Sequence, residues 1–229
     1  MFGSLATGSP RSLFGCFDNG LDFHLAAITG AASTHDRREE RFAVNYEGTE
    51  NVLTAAGKLG VDHVVFASSC NIYGRATSTD IDETVESDPI NHYAETKRDA
   101  EGLLRVYCEE YDMTGTALRI ATNYGDGLNW RSFVHVADAA RAYGHAVHKP
   151  DAWTEPIYNV GSNDANYRIE EIAEVVREEV EDVDVTYLED EHPGPSYHVN
   201  FDRLAETGFE TERSLRDGIR SLEQRFTDE

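Results

Sequence analysis

The sequence predicts an α/β fold built on a parallel β-sheet, with a small α+β region at its C-terminal end. Short apolar runs rich in β-branched residues alternate along the 229-residue chain with longer stretches whose apolar residues recur at helical spacing. This alternation is typical of parallel strands joined by right-handed helical crossovers. Hydrophobic residues make up 40% of the chain, which is enough for a globular core. We therefore expect folded regions at residues 22–165 and 166–229, behind an irregular start at residues 1–21.

The first region is predicted to contain three buried strands and two helices in its first two thirds. The strands are expected over residues 22–27, 62–69 and 115–121, and the helices over residues 38–59 and 93–111. The apolar spacing of the first helix predicts that Val44, Val52, Leu53 and Ala56 face the core. A loop rich in turn residues, 74–91, leads into the second helix.

The remaining elements continue the alternation. They are predicted as a strand-like run from residue 133 that becomes a helix over 138–147, a strand over 157–160, a helix over 169–180, a strand over 183–188 and a last helix over 214–226. Ser214 and Asp217 resemble a capping box and mark the start of the last helix.

The net charge of −23 is spread along the whole chain. Because nucleic-acid phosphates repel such a surface, we expect no nucleic-acid partner. Lysine is scarce, with Lys58, Lys97 and Lys149 against seventeen arginines and 43 acidic residues. This balance favours a protein adapted to high salt, where counter-ions screen self-repulsion. An ordinary acidic protein is the alternative interpretation.

The three cysteines and the hydropathy pattern indicate a cytoplasmic protein. Cys16, Cys70 and Cys108 lie far apart and form no C-x-x-C pair, so we expect neither a disulfide framework nor a zinc site. The nine histidines show no metal-ligand spacing. No apolar run approaches the roughly 20 residues of a membrane span, and no signal-peptide pattern opens the chain. We therefore expect no metal and no membrane partner.

Tyr93 and Lys97 form a Y-x-x-x-K motif on the second predicted helix. Residues four apart share one helix face, so the phenol and the ammonium can reach one site. An adjacent ammonium is expected to lower the phenol pKa, which would make Tyr93 a general acid/base. Ser69 closes the preceding strand, and ligands of parallel sheets bind beyond the carboxyl ends of strands. A strand-end serine beside a solvated helix face is the simpler alternative.

Several longer stretches surround this motif. They are residues 24–27, 45–53, 66–74 with 93–97, 119–125, 124–138 and 157–161. Together they resemble the extended short-chain dehydrogenase/reductase family, the NAD-dependent sugar-nucleotide epimerases and dehydratases. The resemblance implies a Rossmann-like fold, here a partial doubly wound parallel sheet, with residues 166–229 as a substrate subdomain.

The resemblance also implies a role for each site residue. The catalytic residues would be Ser69, Tyr93 and Lys97. The residues that bind NAD, or NADP, would be Leu25, Ala26, Ala27, Asn45, Ala67, Ser68, Tyr93 and Lys97. The nucleotide-sugar substrate would be bound by Ser69, Asn123 and Arg131. In the family the tyrosine removes a proton from a sugar hydroxyl while a hydride passes to NAD. The expected partner besides the nucleotide sugar is a second copy of this chain, in a homodimer formed through the helices of residues 38–59 and 92–111.

Departures from the family pattern narrow this expectation. Cys70 and Asn71 stand where dehydratases of the family commonly carry an Asp-Glu pair, which favours an epimerase or reductase. The Gly-rich turn that binds pyrophosphate is not found at its usual spacing, and the first strands of the family sheet are expected to be missing. Residues 123–127 stand for two family segments that are normally separate. A catalytically inactive remnant, or a binding or assembly subunit, is therefore the alternative function.

Overall fold

The computed structural model describes residues 21–24, 27–28, 37–74, 80–121, 130–180, 183–186 and 198–227, and it confirms the α/β fold. The strands in chain order are β1 (Leu21–His24), β2 (His63–Ser69), β3 (Thr114–Ile120), β4 (Trp130–Ser132), β5 (Ile157–Val160) and β6 (Asn166–Arg168). The main sheet has the order β1-β2-β3-β5, and all its pairs are parallel. Its carboxyl ends therefore share one edge, where a ligand site is expected.

A second, two-stranded sheet pairs β4 with β6 in antiparallel register, so that Ser132 lies opposite Asn166. An isolated parallel bridge between Ile81 and Val199 joins the loop after β2 to the C-terminal part. The small sheet spans the expected boundary at residue 165, which stays a prediction.

The helices alternate with the strands of the main sheet. They are α1 (Arg38–Phe42), α2 (Gly48–Leu59), α3 (His92–Tyr111), α4 (Val136–His148), α5 (Ile169–Glu179), α6 (Asp202–Glu206) and α7 (Leu215–Thr227). No helix within the described ranges is long and apolar enough to cross a membrane.

A π-helical turn, Ala43–Glu47, joins α1 to α2 and makes residues 38–59 one continuous helical stretch. A π turn adds a residue to the helical repeat and so rotates the face that follows or precedes it. The prediction that Leu53 and Ala56 face the core is confirmed, but Val44 is 37% exposed. The buried residues that precede Leu53 are instead the polar Arg41, Asn45 and Thr49.

The helices that connect the strands pack on both faces of the sheet: α2 and α3 lie on one face and α4 lies on the other. Leu53 of α2 and Ala100 of α3 pack on the face of Val64, whereas Ala142 of α4 packs on the opposite face with Val65. All three crossovers advance in the same direction across the sheet. The β3–α4–β5 crossover therefore has the opposite hand to the two before it, so the expectation of uniformly right-handed crossovers does not hold across the whole sheet.

Three smaller differences concern the C-terminal half. The strand expected from residue 133 lies earlier, as β4, and α4 begins at Val136. Residues 183–186 form no strand, and residues 187–188 of that prediction lie outside the described residues. The short elements β6 and α6 were not expected from the sequence pattern.

Besides the apolar residues on the two faces of the sheet, a separate apolar cluster lies at the carboxyl end of β2. Cys70, Ile72 and Tyr73 follow β2 in a 3-10 turn and pack with Ile81 and Phe201. The turn ends at Gly74, which has a φ of +48° and runs so close to the Asp88 carbonyl that any Cβ would collide with it. Glycine is therefore required where the chain leaves the site.

Candidate active site

The site lies where β2 ends and α3 begins. Ser69 is the last residue of β2, and its hydroxyl caps the following turn by accepting a 3.2 Å bond from the Asn71 N–H. Asn91 caps α3 by accepting a 2.9 Å bond from the Ala94 N–H. These two caps place Tyr93 in the first turn of α3, beside Ser69 and one turn before Lys97.

Ser69, Tyr93 and Lys97 meet in this structure. The Ser69 hydroxyl lies near enough to the Tyr93 phenol to favour the phenolate and so to act downward on the Tyr93 pKa. The Lys97 ammonium donates a 2.8 Å bond to the Ala67 carbonyl at the end of β2. Its Nζ atom lies 4.8 Å from the centre of the Phe66 ring and 5.9 Å from the centre of the Tyr93 ring. The lysine is 2% exposed, so the site holds a largely desolvated cation.

The protonation of the pair differs from the sequence-based expectation. Burial raises the pKa of Tyr93, and the Ser69 hydroxyl opposes that rise only in part. The expected lowering by Lys97 is therefore wrong for this arrangement, because the ammonium bonds to the Ala67 carbonyl rather than to the phenol oxygen. Burial also lowers the pKa of Lys97 to about 8, against the opposing effect of Glu101.

Asn45 lies on the π turn and connects two elements of the expected cofactor site. Its Oδ1 accepts a 2.7 Å bond from the Ile28 N–H, and its Nδ2 donates to the Ile28 carbonyl at 3.2 Å. The same Nδ2 donates to the Thr96 hydroxyl at 3.1 Å. Asn45 thus fixes the backbone next to Ala27 against α3.

The other expected binding residues lie apart or beyond the described ranges. Ala67 and Ser68 are on β2, where the Ala67 carbonyl accepts from Lys97 and the Ser68 hydroxyl donates to Glu101. Arg131 is on β4, 1% exposed, and donates to the Trp130 carbonyl at 2.7 Å. Leu25, Ala26 and Asn123 lie outside the described residues.

A buried polar network that the sequence analysis missed continues from this site. Arg119 of β3 donates to Glu101 of α3 through two nitrogens, at 2.8 and 3.0 Å. Its third nitrogen donates to the Tyr73 hydroxyl at 2.8 Å, which in turn donates to Asn159 Oδ1 at 2.7 Å. Two signals were available: Glu101 stands four residues after Lys97, and an arginine inside an apolar strand requires a buried partner.

The family model "NAD dependent epimerase/dehydratase family" matches this chain in two stretches, residues 21–127 and 122–161. Together they span more than half of the chain. The stretches overlap at residues 122–127, in agreement with the prediction that this segment stands for two family segments.

The chain is also similar to individual proteins. It is 27% identical over 166 residues to dTDP-D-glucose 4,6-dehydratase of Mus musculus, an alignment that covers 61% of this chain and 46% of that protein. The chain thus spans about half the length of this relative. At the level of the fold it resembles UDP-glucose 4-epimerase of Thermotoga maritima with UDP-glucose, with a TM-score of 0.82, 22% identity and coverage of 96% of this chain and 81% of that one.

A second solved structure gives the same picture. UDP-glucuronic acid 4-epimerase of Bacillus cereus in complex with NAD has a TM-score of 0.81 and 18% identity, and the match covers 99% of this chain and 79% of that one. At these identities the likeness shows the fold, and the site residues are judged on their own contacts.

Proposed function

The chain belongs to the NAD-dependent epimerase/dehydratase family, and from that premise we propose that it is an NAD-dependent epimerase of a nucleotide sugar. The observation that carries the proposal is the meeting of Ser69, Tyr93 and Lys97 at the carboxyl end of β2. The NAD and UDP-glucose of the two epimerase structures give the classes of cofactor and substrate.

The donors at the site fit the sugar and nicotinamide end of NAD. An ammonium has three N–H donors, and the Ala67 carbonyl takes one of those of Lys97. The remaining donors suit the hydroxyls of a ribose, and the backbone of Ala27 and Ala67 would line the dinucleotide where β1 and β2 end. When bound, NAD would accept a hydride from a sugar carbon and return it.

The residues of this chain would handle the proton. The Tyr93 oxygen takes the proton of a sugar hydroxyl as the adjacent C–H bond breaks, and it gives that proton back when the carbinol is re-formed. Ser69 orients both oxygens, because its hydroxyl can donate to one and accept from the other. Inversion requires that the hydride return to the opposite face of the sugar carbon.

The residues after Ser69 support epimerisation over dehydration. Elimination of water needs an acid at the departing hydroxyl, and Cys70 is a poor one because burial raises the pKa of its thiol far above the usual range. Cys70 is 1% exposed, and its thiol donates to the Arg119 carbonyl of β3 at 3.2 Å. Asn71, the next residue, carries no ionisable group.

We propose a homodimer formed through the helices of residues 38–59 and 92–111. Their outer surface exposes Phe42 by 40% and Val106 by 52%, and a hollow of about 490 Å³ lies between Phe42 and His92. Val106→Glu should convert a dimer into monomers by placing a charge in the interface, as measured by sedimentation. A mass that is unchanged between the parent and this variant would exclude this interface. We also propose that the protein is located in the cytoplasm.

The experiment that tests the function is Tyr93→Phe in high salt. We expect NAD to bind the parent and the variant alike in calorimetry, because a phenyl ring keeps the packing. Turnover of UDP-glucose or UDP-glucuronic acid should fall by roughly 10²- to 10⁴-fold, the usual contribution of a general acid/base. Tyr111→Phe, on the same helix, is the matched control and should keep full activity.

Two results would contradict the proposal. Turnover by Tyr93→Phe at the parent's rate would remove the assigned role. Absence of NAD binding by the parent at millimolar concentration would favour the alternative, a non-catalytic member of the family.

A further inference from the structure

Glu101 lies one helical turn beyond Lys97 on α3, on the same face of the helix. Its side chain is 9% exposed and receives three hydrogen bonds. Two come from Arg119, and the third comes from the Ser68 hydroxyl at 2.5 Å. Charge-assisted bonds of this kind are short and roughly twice as strong as neutral ones. The carboxylate is therefore held in one position.

The bond to Ser68 fixes the end of β2. Ser68 lies between Ala67, whose carbonyl receives the Lys97 bond, and Ser69, whose hydroxyl acts on the Tyr93 phenol. A displacement of Ser68 would move both neighbours and change where the ammonium and the phenol meet. Glu101 thus connects the strand that orients the acid–base pair to the helix that carries it.

The charge of Glu101 acts on Lys97. The groups that contact or act on the lysine are the Ala67 carbonyl, the Phe66 and Tyr93 rings and the Glu101 carboxylate. Beyond them, Ser68 on β2 and Arg119 on β3 are bonded to Glu101, Tyr73 is bonded to Arg119, and Ser69 on β2 and Tyr143 on α4 interact with Tyr93. Glu101 is the one carboxylate in this set. Two buried cations, Lys97 and Arg119, therefore share the Glu101 carboxylate, and the buried Glu83 carboxylate acts on Arg119 as well.

We propose that Glu101 is a positioning residue of the acid–base pair: its carboxylate holds the end of β2 against α3 and is the counter-charge of the Lys97 ammonium. This inference rests on the function proposed above. The protonation of Lys97, however, is measurable without turnover.

The test uses the small number of lysines in the chain. Protein labelled with [¹³Cε]lysine should give three resonances, and Lys58→Arg and Lys149→Arg assign the one that belongs to Lys97. In Glu101→Gln, the titration midpoint of Lys97 should fall by about one pH unit, because a nearby negative charge favours the ammonium. Glu110→Gln, an exposed residue on the same helix, is the matched control and should leave the midpoint unchanged.

Arg119→Gln gives an expectation of opposite sign. It removes the competing cation and leaves the Glu101 charge to Lys97, so the midpoint should rise. A purely structural role would not move the two variants in opposite directions. An unchanged midpoint in both, or shifts of the same sign, would overturn the inference. Where circular dichroism shows that Glu101→Gln does not fold, Arg119→Gln decides alone: a rise supports the inference, and no change or a fall overturns it.

Turnover separates this inference from the function on which it rests. If the two variants shift the Lys97 midpoint in opposite directions but the parent turns over no nucleotide sugar, the electrostatic role of Glu101 is upheld and the epimerase function is refuted. If the parent is active but neither Glu101→Gln nor Arg119→Gln changes the titration midpoint of Lys97, only the proposed role of Glu101 is refuted.

Discussion

The acid–base pair of the site titrates in an unusual order. Burial raises the pKa of Tyr93 above its ordinary value near 10, while the pKa of Lys97 is lowered to about 8. The combination that the proposed reaction needs, a phenolate beside an ammonium, is therefore a minority form at every pH. Below the Lys97 pKa its population rises with pH, and between the two pKa values it is constant.

We accordingly expect kcat/KM to rise about tenfold per pH unit up to about pH 8 and then to level off. Lys97→Arg keeps the positive charge but does not titrate in this range, so its profile should lack the bend near pH 8 and continue to rise. The measurement is kcat/KM over pH 6–10 for both proteins at constant salt. A bend at the same pH in the arginine variant would show that another group titrates there.

Motif spacing identified some residues of this region, whereas apolar periodicity could not identify the buried polar ones. Tyr93, Lys97 and Ser69 were found because their spacing and strand-end position carry the signal. Arg41, Asn45 and Thr49 form a buried stripe made of polar side chains, with each residue four positions after the one before, and a search for apolar periodicity passes over such a stripe. The π turn at Ala43–Glu47 adds to the error by rotating Val44 outward.

At the scale of elements, Asp138 anchors the chain between α6 and α7 to the start of α4. Its side chain is 1% exposed and accepts bonds from the Glu212 N–H at 3.1 Å, the Arg213 N–H at 2.9 Å and the Arg141 guanidinium at 2.7 Å. Burial acts to raise the pKa of Asp138, but these donors outweigh it and the pKa is lowered. The carboxylate form is therefore linked to folding.

Asp138→Asn should lower the free energy of unfolding by about 2 kcal/mol at neutral pH, because an amide nitrogen would face a backbone N–H. A carboxyl group with a lowered folded pKa stabilises fully above its unfolded value near 4, and that contribution is lost as the pH falls through the folded pKa. The difference between parent and variant in urea unfolding should thus shrink in acid. The exposed Asp151→Asn is the control, and a deficit independent of pH would contradict the linkage.

The number and type of the main elements followed from the sequence, but the hand of the last crossover did not. The strands β2, β3 and β5 and the helix α3 lie within one or two residues of the predicted positions. The apolar stripe of α4, with Ala142 and Ala146, predicts that one face of the helix is buried. It does not predict on which face of the sheet the helix packs. That choice depends on contacts with Trp153 and Phe209, which come later in the chain.

At the scale of the whole molecule, the net charge of −23 sets two electrostatic effects against each other. Surface ion pairs stabilise locally, and they include Arg216 and Arg220 of α7 with Glu178 and Glu179 of α5. Each such exposed pair contributes about 0–1 kcal/mol and is weakened by salt. The excess negative charge repels itself across the molecule, and salt screens that repulsion as the Debye length falls from about 10 Å at 0.1 M to about 3 Å at 1 M.

We expect self-repulsion to dominate, because 43 acidic residues face 20 basic ones and a net charge of −23 remains however the basic residues are paired. The thermal midpoint should then rise by several degrees between about 0.1 and 2 M KCl. Neutralising four exposed acids, with Glu109→Gln, Glu110→Gln, Asp151→Asn and Glu206→Gln, should raise the midpoint at low salt and flatten its dependence on KCl. A midpoint that falls with KCl in the parent would mean that the local pairs outweigh the repulsion, and the interpretation as a salt-adapted protein would be withdrawn.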